Sequence, residues 1–117
     1  MDFYTGLIIA ITVSDTDGNV IYQNDSSLEV NGDARGRNLE QCHNPKSWAM
    51  IRHLIENDAT NVYTISKKGK KKLIYQTPWY DESGEVSTEN GEMKREPAGL
   101  VEFSIILPEE MPHYDRG

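Results

Sequence analysis

Apolar and polar positions along the chain switch between a strand-like and a helix-like period. Residues 7 to 14, LIIAITVS, are almost continuously apolar and rich in β-branched side chains, which predicts a strand covered on both faces. The polar DTDGN after it has the composition of a tight turn, and VIYQN returns as a second strand, so the chain opens on a hairpin. Residues 26 to 41 are polar and broken by Gly32 and Gly36, a stretch for short helical turns and loop. The period then becomes helical. Asn44 is a favourable N-cap and Pro45 suits the first helical position. Trp48, Ile51 and Ile55 recur on one stripe, widened by Met50 and Leu54. Three β segments follow: NVYTIS, KKLIYQTPWY and GLVEFSIIL. The first two are joined by KKGK, a polar hairpin turn, and the last two by the charged residues 81 to 98, expected to be mobile.

Hairpin, helical middle and a three-stranded return predict an α+β domain, a five-stranded antiparallel sheet with helices on one face. At 117 residues the chain is read as a single domain, 1–117, with its core between about residues 7 and 107. A net charge of -7 argues against a nucleic-acid binder, which would show a basic face. A lone cysteine makes no internal disulfide, so a reducing cytoplasm is the expected location. The apolar run near the N-terminus is too short to span a bilayer, and no membrane role is expected.

Cys42 and His43, adjacent before the long helix, are the first candidates for chemistry. Neighbouring side chains usually point apart, whereas a nucleophile and its base must meet within hydrogen-bond reach. No second cysteine exists to build a c-type haem or zinc motif, and no metal site is expected. Cys42 is therefore read as a small buried residue, with His43, Asn44 and Pro45 shaping the helix entry. Glu102 interrupts GLVEFSIIL, where Val101, Phe103, Ile105 and Leu107 share one face while Glu102 and Ser104 share the other. The lysines of SKKGKKK read as a solvated hairpin tip. Asp15, Asp17 and Gly18 lack the later ligands of a calcium loop. Tyr63, Tyr75, Trp79 and Tyr80 suit cross-strand packing or stacking on a planar ligand.

Several of these stretches resemble PAS sensory domains. VSDTDGNVIYQN is similar to that family's opening hairpin, and GRNLEQCHNPKS to the Cys-His-Pro-Pro-Lys-Ser stretch of PAS domains found beside hemerythrin-like domains in bacterial proteins. YQTPWYDESGEV and GLVEFSIIL resemble the closing strands. Asn44 replaces the first proline of the usual pair, and residues 87 to 97 look like an insertion. The resemblance implies a cytoplasmic bacterial signalling module, without catalytic activity, that senses a small molecule or a partner protein. It also implies a cavity bordered by the start of the long helix, with a ligand-binding set of Cys42, His43, Trp48, Tyr75, Glu102 and Ser104. His53 lies on the element from which haem-binding PAS domains present a ligand, but its neighbours Arg52 and Glu56 are polar. The flavin-cysteine motif of light sensors is absent, so neither haem nor flavin is expected. The face of Val101, Phe103, Ile105 and Leu107 predicts a homodimer. Two alternatives stay open: a small enzyme with Glu102 as general base, aided by His43 or Cys42, and a dimerisation module without a ligand.

Overall fold

The computed structural model describes residues 3–81, 86–89 and 92–117. Its first hairpin pairs β1 (Ala10–Asp15) with β2 (Val20–Gln23). Asp15 builds the turn between them: its carboxylate accepts hydrogen bonds from the Asp17 and Asn19 amides and from the Asn19 side chain. Burial raises the Asp15 pKa, but bonds from Asn19, Asp17 and Gly18 outweigh it and hold the carboxyl below its ordinary range. The Asp-x-Asp-Gly run is thus a turn-former. β1 begins three residues later than the apolar run suggests, since Ile8 is 90% exposed and Leu7 is also exposed. The pairing with the last strand ends at Ala10, so the preceding apolar residues have no ladder to join.

Two short helices follow, α1 (Asp25–Asn31) and α2 (Leu39–Cys42), then α3 (Pro45–Glu56). Asn24, only 2% exposed, caps α1 by accepting from the Ser27 amide. The same side chain accepts from the Ile11 amide and donates to the Tyr4 and Ile9 carbonyls. One amide therefore ties the N-terminal segment, β1 and α1 together. Asn44 caps α3 through the Ser47 amide, with Pro45 behind it as expected. At the other end Asp58 turns left-handed (φ 50) and the Ala59 amide returns to the Leu54 carbonyl, a Schellman-type stop. Ile51, Leu54 and Ile55 bury against Leu100, with Leu39, Trp48 and Ala59 packed around them. Met50, expected on this stripe, is 44% exposed.

β3 (Asn61–Lys67) and β4 (Lys70–Trp79) form a hairpin whose turn residues, Lys68 and Gly69, both have positive φ. That pattern matches the right-handed twist of the strands and leaves the lysines in water. Inside the long charged connection, β5 (Val86–Glu89) and β6 (Glu92–Arg95) make a two-stranded hairpin of their own. Residues 82–85 and 90–91, on which the expected mobility also rests, lie outside the described residues. β7 (Gly99–Leu107) completes a five-stranded antiparallel sheet in the order β2-β1-β7-β4-β3, with the last strand at its centre. Gly99 is indispensable to that insertion: an added Cβ would lie 1.8 Å from the Ser14 carbonyl and 2.5 Å from Trp79 Nε1. The Trp79 indole uses the space to donate to that carbonyl.

Candidate functional site

Register fixes which side chains meet on the helix-covered face of the sheet. Directly paired residues of antiparallel strands share a face, and the pairings Gln23↔Thr12, Thr12↔Glu102, Glu102↔Gln76 and Gln76↔Asn61 form one row across all five strands. Every member of this row is polar. The next row on one side contains Ser14, Leu100 and Pro78, and on the other Ala10, Ser104, Ile74 and Tyr63.

Two hydrogen-bonded networks occupy the row and stop short of each other. On one side the Ser27 hydroxyl pairs with Thr12 and accepts from Gln23 Nε2. On the other, Asn61 donates to Gln76 (3.3 Å) and Gln76 donates to Glu102 Oε1 (2.9 Å). A carboxylate only accepts, so it dictates the direction of both amides. Gln76 must turn its nitrogen to Glu102 and its oxygen to Asn61. Among the described residues no Lys, Arg or His forms an ion pair with Glu102.

Three adjoining cavities open over the middle of this row. One of about 530 Å³ lies between the start of α3 and the sheet, with Asn44, Met50, Asn61, Tyr63 and Gln76 among its walls. Another, of about 440 Å³, faces α1 and α2 and touches Thr12, Gln23, Arg37 and Cys42. Between them a recess of about 30 Å³ reaches Ser14, Gln76 and Leu100. His43 and Glu102 line all three. His43 sits at the end of α2, where its Nδ1 lies 3.0 Å from the Leu39 carbonyl. A carbonyl oxygen cannot donate, so Nδ1 carries the proton, and in the neutral ring Nε2 is an acceptor. Tyr63 has its pKa raised, first by partial burial and then by the charge of Glu102. Ser14 is 2% exposed, and its hydroxyl has no hydrogen-bond partner among the described residues.

The structure divides the residues singled out from sequence. Cys42, His43 and Glu102 come together on the α2-side cavity. Cys42 is exposed, however, which corrects the expectation of a buried thiol: the single-turn helix α2 sends Leu39 to the core and leaves Cys42 on the rim. Trp48 is on none of these walls. It packs against the core cluster, with its ring over Gly18, where a Cβ would lie 2.5 Å from Cη2. Tyr75 is also excluded, because it alternates with Gln76 onto the opposite face and meets Phe103 edge-on with centroids 6.5 Å apart. Ser104 shares the face of Glu102 but lines a separate groove of about 430 Å³ with the N-terminal segment and α1. His53 is exposed and hydrogen-bonded to Asn57. Thr12, Ser14, Asn61 and Gln76 were not singled out. Their signal was a polar side chain at the inward phase of an otherwise apolar strand.

Among the described residues no group of three or more His, Cys, Asp or Glu side chains is placed to hold a metal ion, and no helix is long and apolar enough to cross a membrane. No family model and no curated protein matches the chain. Solved structures do. The PAS domain of a protein from Colwellia psychrerythraea is similar at 18% identity and a TM-score of 0.60, over 92% of each chain. VqmA bound to DPO is similar at 17% identity and a TM-score of 0.63, over 91% of this chain and 55% of that one. A domain of an HTR-like protein from Haloarcula marismortui is similar at 13% identity and a TM-score of 0.55, over 87% of this chain and 100% of that one. The likeness at these identities is one of architecture, and the architecture of this chain is the PAS fold.

Proposed function

We propose that this chain is a sensory module that takes a small molecule into the cavities above Glu102 and passes on its occupancy by contact, without catalysis. The observation that carries this reading is the all-polar row beneath the helices. A core built only for stability would fill that row with apolar side chains, because each buried polar group needs a partner. Here the row borders open volumes of about 440 and 530 Å³ instead. VqmA, a solved neighbour, is bound to DPO, which supports a ligand as the signal. His43 and Asn44, at the α2–α3 joint, both face the larger cavity. A ligand touching them biases the packing of α3, a population shift between two arrangements. The test is a fragment screen read by amide chemical shifts: ligands should move Thr12, Gln76 and Glu102 together with α3. Shifts confined to the outer face of the sheet, or none, would refute the reading.

The output surface on this reading is the opposite face, where the module forms a homodimer. Val13, Leu73, Tyr75, Val101, Phe103 and Ile105 lie there, half-buried or exposed, while the three helices occupy the other side. Sedimentation should show a dimer that Phe103→Glu dissociates, and a parent protein that remains monomeric would refute it.

A further inference from the structure

We propose that the cavities select a small organic cation bearing N–H donors, an amidinium or primary ammonium group that docks between Glu102 and His43. This rests on the sensory reading above and names the chemistry of its ligand. The walls at the junction accept hydrogen bonds. Glu102 spends Oε1 on Gln76 and has no further hydrogen bond and no ion pair among the described residues. The proton on His43 Nδ1 is committed to the Leu39 carbonyl, which leaves Nε2 as the acceptor whenever the ring is neutral, on a side chain that lines all three cavities. Asn61 and Gln76 both donate toward the carboxylate, so the relay supports a negative charge rather than dispersing it. Tyr63, on the wall of the larger cavity, has its pKa raised first by burial and then by that charge.

An independent observation marks the same place for a polar ligand group. The Ser14 hydroxyl, buried and unpartnered, lines the small recess together with Thr12, Gln76 and Glu102. A buried hydroxyl is costly to leave unmade, and the recess has room for one polar group or water beside it. A donor group held by Glu102 can satisfy this oxygen too, whereas an anion would face a carboxylate. The basic residues on the walls, Lys46 and Arg37, are exposed and stand on different cavities, each without an ion pair to Glu102.

Three probes of nearly one shape separate the possibilities: benzamidine, benzamide and benzoate. Titrations followed by amide chemical shifts on the whole chain should show benzamidine moving Thr12, Ser14, Gln76 and Glu102, with benzoate at least about tenfold weaker. Glu102→Gln keeps the shape, and an unchanged spectrum elsewhere establishes its fold. It should weaken benzamidine about tenfold and benzamide less than about twofold. Ser14→Ala should weaken benzamidine several-fold. Benzoate binding at these residues as tightly as benzamidine would overturn the cation assignment and leave the sensory reading standing. So would an unchanged benzamidine affinity in Glu102→Gln. The absence of shifts at these residues with every probe would overturn the assignment and count against the cavity reading as well.

Discussion

Replacing Asn24 with alanine should be among the most damaging single substitutions in the chain, although it removes only a small polar side chain. The side chain makes four hydrogen bonds, to the Ile11 and Ser27 amides and the Tyr4 and Ile9 carbonyls. Loss of the α1 cap costs about 1 kcal/mol. The Ile11 amide is buried and has no water to turn to, which adds about 1–2 kcal/mol. The two carbonyls are partly buried and together add about 0.5–1 kcal/mol. The total, about 2.5–4 kcal/mol, corresponds to a fall of about 2–3 M in the urea midpoint. Trp48 and Trp79 provide the fluorescence readout. Asn24→Asp sharpens the test because it keeps the acceptor and loses the donor, setting an oxygen against two carbonyls. The neutral acid can donate, so folding raises the pKa of the introduced carboxyl above its unfolded value. Its penalty is therefore least below about pH 4 and grows as pH rises through the folded pKa. A midpoint fall under about 1 M for Asn24→Ala, or an Asn24→Asp variant as stable as the parent at neutral pH, would refute the argument.

Three further outcomes are expected. Cys42→Ser should change stability by less than about 0.5 kcal/mol, because the thiol is exposed, and Cys42 in the folded parent should react fully with a thiol reagent. A loss above about 1 kcal/mol would show that Cys42 is packed after all. Gly99→Ala should cost more than about 4 kcal/mol, because the new carbon overlaps the Ser14 carbonyl at the start of the central strand; a folded variant with a parental melt would contradict the register. Tyr80 bonds to Asp58, and this hydrogen bond first, then burial and the Asp58 charge, push its pKa up to about 12. The stabilisation is complete below the unfolded pKa of about 10 and fades as pH rises toward the folded value. Tyrosinate absorbance should thus show a phase near pH 12, separate from the raised Tyr63, that Asp58→Asn abolishes.

Local signals were readable along the chain, and non-local ones were not. Asn44 and Pro45 marked the start of α3, and strands β2, β3, β4 and β7 lie close to where their alternation put them. The β5–β6 hairpin carried its own cue, Asn90-Gly91 between Val-Ser-Thr-Glu and Glu-Met-Lys-Arg, but the surrounding charge outweighed it. Glu102 stood out because a carboxylate interrupts an apolar strand. Its partners did not, because a row exists only once strand order and register are known, and both depend on residues far apart in sequence. Tyr75 shows how sharp that dependence is. It is one residue from Gln76, and a period of two sends it to the other side of the sheet.

The central position of β7 has a consequence for biosynthesis. Before residues 99–107 leave the ribosome, the sheet exists only as two separate hairpins, β1–β2 and β3–β4, each with an edge that later pairs with β7. Such edges are open to pairing with other chains, and the β1–β7 contacts that close one of them span nearly the whole sequence, which slows folding. A nascent chain therefore has a vulnerable interval that lasts until its final strand is made. Glu102 is carried by that same strand, so no incomplete chain can assemble the polar row. Closure of the sheet and assembly of the polar row are settled in one step.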